Sequence, residues 1–411
     1  MKMNAYIAGI GMTTFGNHLD KTLKALAGEA IQAALDDAGI DKSKLQAAWM
    51  ANAAASVVQG QVMIPGEVVL RNMGIGRIPV VNVENACASG ATAFQQACAM
   101  VSSGLYDIVL ACGSEKLFHE DRARAMAAFA GAIDVEEPGG ALKILDMLAM
   151  AAKEPIAADV GVNRSIFMDI YSLMTKKHMK KYGSTKEHFA MVSAKNSFHG
   201  SLNPLAQFQN VLTVEEVLAA RTIIEPLTLT MCSPVGDGAA AVILVSERKA
   251  RELGLRNPVR VMASALATGW DWENDDDNVG TLAAEQAYEA AGIGPDEISC
   301  VELHDASAPS EIMAYEYLGL CRPGEGAGLI ESGATRIGGR LPVNTSGGLL
   351  RKGHPVAATG CAQIVELTKQ LQGRADRRQI EGACVGMAHN AGGLIGMDAA
   401  STVVTILRKE G

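Results

Sequence analysis

The chain carries the same pattern of apolar and polar positions near both of its ends. Residues 25–53 (ALAGEAIQAALDDAGIDKSKLQAAWMANA) resemble residues 281–307 (TLAAEQAYEAAGIGPDEISCVELHDAS). In each segment apolar residues recur at helical spacing up to a glycine, and a polar connection then leads into a continuous apolar run. Both segments therefore predict an amphipathic helix followed by a buried strand. Ala38-Gly39-Ile40 aligns with Ala291-Gly292-Ile293, an offset of 253 residues.

A second pair of segments repeats in the same order. Cys87 to Thr92 (CASGAT) matches His354 to Thr359 (HPVAAT) at an offset of 267 residues. Each starts a helix of small residues that leads to another apolar strand, YDIVLACG in the first case and GACVGMAH in the second. Either match alone could be coincidence, but the two together predict an α/β fold of two homologous halves, residues 1–120 and 257–411.

The segment between the halves has a different pattern. Residues 121–240 carry mixed charge and helical periodicity, which predicts an inserted, mostly helical lobe. The segment ends in AAAVILVS, a fully apolar run that predicts a closing strand of the first half at about 239–247. Residues 265–280 (ALATGWDWENDDDNVG) predict an acidic, solvated connection.

Composition narrows the class of protein. The 411 residues exceed what one hydrophobic core usually organises, and 48% apolar with only 4% aromatic residues and 43 glycines indicates closely layered helices and sheets. The net charge of -9, without basic runs interleaved with aromatics, argues against a nucleic-acid partner. The sequence shows neither a membrane-spanning run nor a signal peptide, so we expect a soluble, cytoplasmic protein.

Cysteine and histidine spacing predicts neither disulfides nor a metal. The eight cysteines form no C-x-x-C pair, and all except Cys87 are interpreted as small buried apolar residues. The histidines lack i,i+4 pairing and neighbouring carboxylates. Five of them lie in polar contexts that predict solvated side chains: His18, His119, His178, His188 and His199.

Cys87 is the strongest candidate nucleophile. It follows an apolar strand and a polar turn and stands in the first turn of a predicted helix, where the macrodipole and unpaired amides favour a thiolate. The repeat puts His354 at the corresponding helix start, so we expect the two side chains to face each other across the interface between the halves. Gly347, Gly348 and Gly353 before His354 leave a phosphate loop as a competing interpretation, although the spacing of known phosphate loops is absent.

Further polar residues follow the predicted strands of the second half. His304 ends the strand SCVELH, and His389-Asn390 ends GACVGMAHN, just before the turn at Gly392-Gly393 with its free amides. The ends of strands are where α/β sheets place their sites. A purely structural histidine remains the alternative for His389.

These motifs together resemble the thiolase family, and within it the sterol-carrier-protein type and its bacterial and archaeal relatives. NACASGATAF resembles the nucleophile motif, VELHDASAPSEIMAYEYLGL the H-D-C-F region, NTSGGLLRKGHPVAATG the G-H-P motif and AHNAGG the glycine turn. The resemblance spans essentially the whole chain. It implies a five-layer αβαβα core, with the inserted lobe as the loop domain that covers coenzyme A.

The resemblance also implies roles and partners. Cys87 would be acylated by an acyl-CoA, His354 would activate it, and His304 would help to form an oxyanion hole. The amides of Cys87 and of Gly392 or Gly393 would form another, supported by His389 and Asn390. The substrates would be acyl-CoA and coenzyme A, with no further cofactor. Four lysines are candidates for binding the coenzyme A phosphates, although a solvated helix face explains them equally well: Lys176, Lys177, Lys180 and Lys181.

One position departs from the family pattern. The acid/base cysteine of H-D-C-F is here Ala306, and the phenylalanine is Ser307. Cys384 spells the C-x-G motif of other thiolases, but it precedes His389 by five strand residues, on the order of 16 Å, which places it too far away.

Three functions stay open at this point. The first is a thiolase in which another group, such as His304, supplies the base. The second is a condensing acyltransferase of the ketoacyl-synthase kind. The third is a non-catalytic lipid-binding or scaffold subunit, which the retention of Cys87 argues against, as it does against a retro-aldolase subgroup that lacks this cysteine. The resemblance further implies a homodimer or a dimer of dimers, and it leaves room for a small partner protein.

Overall fold

The computed structural model describes residues 2–121, 123–271 and 278–410. The strands of these residues form a nine-stranded sheet and a separate two-stranded sheet, β5–β6. The strands are β1 (Lys2–Met12), β2 (Ala47–Ala51), β3 (Val80–Val83), β4 (Ile108–Glu115), β5 (Thr222–Ile224), β6 (Leu227–Thr228), β7 (Gly238–Ser246), β8 (Val259–Thr268), β9 (Cys300–Glu302), β10 (Val385–Ile395) and β11 (Asp398–Lys409).

The α-helices pack on both faces of this sheet and in the inserted lobe. They are α1 (Leu23–Ala38), α2 (Ala55–Val58), α3 (Pro65–Asn72), α4 (Ser89–Ser102), α5 (Ala123–Ala130), α6 (Gly140–Ala152), α7 (Ile166–Tyr182), α8 (Lys186–Ser201), α9 (Val214–Ala219), α10 (Glu247–Leu253), α11 (Val279–Ala291), α12 (Ala308–Tyr317), α13 (Gly326–Glu331), α14 (Gly348–Arg351) and α15 (Thr359–Gln372).

The helix–strand repeat predicted from the sequence is present. Helices α1 and α11 each begin after a polar residue whose side chain accepts a backbone hydrogen bond, Thr22 in the first and Asn278 in the second. Each ends one residue before a glycine in the left-handed conformation, with φ of 63° at Gly39 and 70° at Gly292. The predicted glycine stops are therefore the helix ends, and a short strand follows each one.

The sheet order shows the same duplication. The sequence of strands across the sheet is β3-β2-β4-β7-β1 in the first half and then β8-β11-β10-β9 in the second. An isolated parallel bridge from Val301 to Val343 takes the position that β3 has beside β2. The two halves join where β1 pairs antiparallel with β8, so they share one continuous hydrogen-bonded sheet.

Helices α4 and α15 form the central layer, packed against each other between the two halves of the sheet. Alternating residues of β1 show the layering, since Ile7 faces the central cluster and Tyr6 faces the outer cluster with α1 and α3. In the second half the outer cluster contains α11 and α12. Five layers result: outer helices, the strands of the first half, the central helices, the strands of the second half and outer helices. This is the layering that the family resemblance implies.

The central helices meet through glycine. A Cβ added at Gly90 of α4 would clash with the carbonyl oxygen of Ala357, and one added at Gly360 of α15 would clash with the amide nitrogen of Ala91. The two helices therefore approach backbone to backbone at symmetry-related positions. They begin at residues 89 and 359, an offset of 270, so the true equivalent of Cys87 is Ala357. The predicted offset of 267 was wrong by three residues, and His354 lies just before the helix.

The inserted segment consists mainly of helices α5 to α9 and leads into β7. It contacts the second half where residue Ile133 forms a parallel bridge with Leu394 at the end of β10. The predicted acidic connection at 265–280 was wrong for residues 265–268, which belong to β8, while residues 272–277 lie outside the described residues. Within the described ranges, every helix is too short or too polar to cross a membrane.

The cysteines carry no disulfides, and all eight are free thiols. Four of them are buried as predicted: Cys98, Cys112, Cys300 and Cys361. Cys232 and Cys321 are half-buried and Cys384 is exposed, so the interpretation as buried apolar residues does not hold for these three.

The central contact gives a stability prediction. Gly90→Ala places a methyl group against the Ala357 carbonyl, and we expect it to reduce the free energy of unfolding by about 2–3 kcal/mol, as overpacking does. Gly328→Ala in α13 is the matched control, because a Cβ there meets no atom within 4 Å and should stabilise the helix by about 0.5–1 kcal/mol. Denaturant unfolding measures both, and equal stabilities for the two variants would contradict the close contact.

Candidate active site

Cys87 lies on a strained turn at the start of the first central helix. The 3-10 turn Ala86–Ala88 precedes α4, and Ala86 adopts a left-handed φ of 47°. Such a conformation costs of order 1–3 kcal/mol and is held only where surrounding bonds impose it. Ser89 supplies two of them, since its Oγ accepts from the Asn85 amide at 2.9 Å and donates to the Ala86 carbonyl at 2.6 Å.

His354 faces Cys87 as the repeat predicts. Its Nε2 lies 3.3 Å from the Cys87 Sγ, and its Nδ1 lies 2.7 Å from the Thr359 Oγ1. The Thr359 hydroxyl donates to the Pro355 carbonyl at 3.3 Å, so its oxygen is left to accept the Nδ1 proton. The Nε2 lone pair is thereby directed at the thiol, which is the arrangement that a general base requires.

His304 completes the cluster with the opposite tautomer. Its Nδ1 lies 3.0 Å from the Asn390 side-chain amide nitrogen, which donates to it, so the ring proton is on Nε2. The His304 and His354 rings stand edge to face with centroids 5.2 Å apart. One ligand atom each of Cys87, His304 and His354 lies within 4.8 Å of the others, a spacing that a metal could also use, so the absence of a metal stays a prediction.

Burial dominates the electrostatics of the pair. It raises the pKa of the Cys87 thiol to about 12, with the Glu115 charge adding to the effect. It lowers the pKa of His354 well below 6.5, aided by His304 and Lys352. The expectation that the helix start makes a resting thiolate is therefore wrong, because desolvation outweighs the helix dipole. The resting pair is a neutral thiol and a neutral imidazole.

The predicted turn at Gly392-Gly393 is wrong, because β10 continues through His389 and both glycines to Ile395 and pairs with β11 there. These strand glycines form the wall beside Cys87. A Cβ added at Gly392 would lie 2.8 Å from the Cys87 amide nitrogen and would clash with the Asn85 carbonyl oxygen. Gly393 follows with a φ of 66°. Only glycine fits at residue 392, and Gly392 and Gly393 both line the cavity beside Cys87, where an oxyanion would be held.

A cavity of about 1380 Å³ opens from these residues into the lobe. Ala306 lines it, and so do the apolar side chains of Met168, Ile170 and Met174 on α7. Cys87 itself packs in an apolar cluster with Leu117, Val356 and the α5 residue Phe129. The reacting atoms are thus enclosed between the central helices and the inserted helices.

The four candidate lysines divide into two pairs on α7. Lys177 and Lys181 lie one helical turn apart and line the cavity. Lys176 and Lys180 lie at 3.8 Å and 2.5 Å from the Glu154 carboxylate. Lys177 and Lys181 line the cavity, so we keep these two as candidates for binding the coenzyme A phosphates.

His389 serves as a support for His304. The His304 amide donates to the His389 Nδ1 at 3.5 Å, the His389 carbonyl accepts from Gln363 at 3.0 Å, and the ring packs edge-on against Tyr317. Burial lowers the pKa of His389 to about 3. This contact set matches the structural alternative for His389, which nevertheless touches the reacting cluster. Cys384 is exposed at the opposite end of β10, as the residue count predicts.

Two histidines predicted to be solvated are buried instead. His178 contacts Ser184 at 2.8 Å and Glu316 at 3.1 Å, and His199 accepts from the Ile337 amide. Glu316 and Ile337 each lie 138 residues from the histidine that they contact, so local polarity could not identify this burial. Burial lowers the pKa of His199 to about 3.

Sequence reasoning missed the residues that orient the cluster. Ser89 and Thr359 stand in the repeated segments CASGAT and HPVAAT, and that repetition of a hydroxyl near the helix start was the available signal. Glu115 was missed altogether, because nothing local marks the last residue of an apolar strand as a neighbour of Cys87.

Two protein-family models match this chain. A model described as the thiolase N-terminal domain matches residues 5–248, and one described as the thiolase C-terminal domain-like family matches residues 277–409. The chain belongs to the thiolase family. The first matched region contains Cys87, and the second contains His304 and His354.

This thiolase is similar to proteins of several kinds. It is 39% identical to acetyl-CoA acetyltransferase of Methanothermobacter thermautotrophicus, over 96% of this chain and 97% of that protein. It is 34% identical to sterol carrier protein 2 of Bos taurus, over 95% of this chain and 70% of that protein, which confirms the predicted subgroup. A solved Ltp2-ChsH2(DUF35) aldolase is 26% identical, with a TM-score of 0.78 over 98% of this chain and 97% of that chain.

The neutral state of the pair gives a pH prediction. Because burial raises the Cys87 pKa to about 12, its thiolate fraction grows about tenfold per pH unit below that value. We therefore expect alkylation of Cys87 by iodoacetamide to accelerate throughout pH 7 to 10, followed by peptide mass spectrometry. The exposed Cys384 is an internal reference in the same digest. A plateau for Cys87 below pH 8 would show that a thiolate is already formed there.

Proposed function

We propose that this member of the thiolase family transfers acyl groups between coenzyme A thioesters through an acyl-Cys87 intermediate. The observation that carries the proposal is the 3.3 Å contact between the Cys87 Sγ and the His354 Nε2, with the His354 tautomer set by Thr359. The acetyl-CoA acetyltransferase relative supports the same chemistry.

The first half-reaction uses the neutral pair directly. The Cys87 sulfur attacks the 3-keto carbonyl carbon of a 3-ketoacyl-CoA while the thiol proton passes to the His354 Nε2. The resulting oxyanion is held by the amides beside Gly392. Its collapse breaks the bond between C2 and C3, leaving the acyl group on Cys87 and forming the enolate of acetyl-CoA. The His354 imidazolium then gives its proton to C2 of the enolate, which releases acetyl-CoA and restores the neutral imidazole. Because the imidazolium forms only during attack, no separated charge is buried in the resting site.

His304 fits the oxyanion role better than the role of base. Burial lowers its pKa to about 4, so the ring is neutral at pH 7, and its lone pair on Nδ1 is occupied by Asn390. The Nε2–H is left as a hydrogen-bond donor for the thioester oxygen of the enolate. We therefore do not propose His304 as the group that replaces the missing acid/base cysteine.

The second half-reaction transfers the acyl group to coenzyme A. The coenzyme A thiol gives its proton to His354, and its sulfur attacks the acyl carbon on Cys87. The bond between the acyl carbon and the Cys87 sulfur breaks, and the departing thiolate takes the proton back from His354, which regenerates the neutral pair. Lys177 and Lys181 at the cavity wall are the proposed contacts of the coenzyme A phosphates, and the helices of 121–240 form the proposed covering domain between the halves 1–120 and 257–411. In the reverse direction the same groups support Claisen condensation.

The other functions explain fewer observations. A condensing acyltransferase of the ketoacyl-synthase kind would use the same Cys-His-His set, but the acetyl-CoA acetyltransferase relative favours the thiolase reaction. A scaffold would not need a thiol and an imidazole held in complementary tautomers. An aldolase, as in the name of the solved neighbour, would not need an acyl-accepting cysteine.

The proposed assembly is a homodimer through the edge of the first half. Strand β3 ends the sheet, and its Val81 is 43% exposed, so both its free backbone edge and an apolar side chain are available to a second copy. The name of the solved aldolase, which contains a second protein, supports a small partner. Sedimentation of the purified chain tests the dimer, and a monomer at micromolar concentration would contradict it.

The acyl intermediate can be tested directly. Incubation with acetyl-CoA or acetoacetyl-CoA should add one acyl group to Cys87, seen by intact and peptide mass, and acetoacetyl-CoA with free coenzyme A should lose its enolate absorbance. His354→Asn should slow acylation by at least about 100-fold, because the general base is lost. His304→Gln should acylate at near the normal rate but cleave acetoacetyl-CoA slowly. Acylation without cleavage by the unaltered protein would favour the condensing alternative, and no adduct would favour the scaffold.

The vacant acid/base position gives a second prediction. Ala306 lines the cavity beside the Cys-His-His cluster, so Ala306→Cys restores a thiol where the family pattern has one. We expect thiolysis of acetoacetyl-CoA to rise about tenfold or more, since a positioned acid/base typically contributes at least that factor. Ala306→Ser is the control of similar size without a readily formed anion. Equal rates for the two variants would show that another group already supplies the proton.

A further inference from the structure

The duplicated fold contains a second copy of the wall that holds the oxyanion. Along the central helices the offset is 270 residues, so Ala357 is the equivalent of Cys87. Along the strands that supply this wall the offset is 277, because Ala47 pairs with Val109 as Cys300 pairs with Gly386. Gly392 on β10 therefore corresponds to Glu115, the last residue of β4.

The two copies differ at this strand position. In the first copy, the Gly392 backbone lies directly against the Cys87 amide, where no side chain fits, and Gly392 and Cys87 both line the cavity. In the second copy, a side chain reaches the corresponding amide: Glu115 Oε2 accepts from the Ala357 amide at 3.2 Å. The equivalent helix-start amides thus lie beside the cavity in one half and bind a protein carboxyl group in the other.

Glu115 is held by amide hydrogen bonds, and it forms no ion pair among the residues that the structure describes. Its carboxylate accepts from the amides of Ala53 and Ala54 and from the side chain of Asn52, at 3.1–3.2 Å. The residue is fully buried, and burial raises its pKa to about 7, so the carboxylate form predominates only above neutral pH. It therefore connects a turn of the first half to the helix start of the second, three residues after His354.

We propose that the Glu115 carboxyl group fills a second, non-catalytic oxyanion site, and that it acts as a positioning residue for His354. The proposed role in acyl transfer is the setting for this inference, but the anion site itself does not depend on it. By fixing the Ala357 amide, Glu115 holds the turn from which His354 reaches Cys87. The Glu115 carboxyl group of the second copy shows that a helix start beside a strand end can bind a carboxylate oxygen.

The negative charge of ionised Glu115 raises the pKa of the Cys87 thiol. The titratable groups around Cys87 are Glu84, Glu115, Tyr171, His304 and His354, and the Glu115 charge contributes to the raised Cys87 pKa.

Chemical rescue tests the second site. Glu115→Gly reproduces Gly392 and should lower the Tm, and 100 mM formate should restore at least about 2 °C by occupying the vacated space. Val109→Ala, in the same buried strand, is the control that formate should not stabilise beyond its effect on the unaltered protein. Formate that leaves Glu115→Gly unchanged, or that raises both variants equally, would overturn the anion site. These readouts do not require acyl transfer, so they remain valid if the proposed function fails.

Glu115→Gln tests the link to the active site and serves if Glu115→Gly does not fold. Removing the charge should lower the Cys87 pKa and increase its alkylation rate at pH 8 by about threefold or more, half a pKa unit. Acylation by acetyl-CoA should slow at the same time, because one carboxylate oxygen becomes an NH2 group that cannot accept from the backbone amides, and the turn that carries His354 is held less firmly. A purely structural role predicts no change in the pH profile of alkylation, and an unchanged profile would overturn the positioning role.

Discussion

The backbone contact between the two central helices is the constraint on which the rest of the structure depends. Gly90 and Gly360 let α4 and α15 meet without intervening side chains, and each helix start then lies against the other half of the molecule. Cys87 and His354 come from different halves and different helix starts, so this approach sets the distance between them. A single methyl group at the crossing would shift both.

The two histidines beside Cys87 carry their ring protons on different nitrogens within a buried site. Thr359 puts the His354 proton on Nδ1, and Asn390 puts the His304 proton on Nε2. One imidazole therefore offers a lone pair to the thiol, and the other keeps an Nε2–H donor, which we propose binds a substrate oxygen. Because burial keeps thiol and imidazole neutral at rest, the charge separation occurs only when substrate is present to absorb it.

Much of this arrangement follows from the pattern of the sequence, for identifiable reasons. The glycine stops at Gly39 and Gly292 are local signals, and they predicted the duplicated halves correctly. The facing of Cys87 and His354 followed from the repeat, although the small residues of HPVAAT concealed the three-residue shift that puts Ala357 opposite Cys87.

The failures have a common cause. The raised Cys87 pKa, the buried His178 and His199 and the role of Glu115 all depend on groups that arrive from elsewhere in the chain. The local sequence shows which residues are neighbours along the chain. Desolvation depends on residues from distant parts of the chain that pack against the group.

The pairing of β1 with β8 has a mechanical consequence. Because the two halves share one hydrogen-bonded sheet, they cannot rotate apart as separate bodies without breaking a strand pair. The 3.3 Å contact between Cys87 and His354 is thus held between two halves that share their strand pairing. The inserted segment joins the second half through the separate bridge between Ile133 and Leu394, so a rearrangement of its helices would leave the sheet that carries the two catalytic candidates intact.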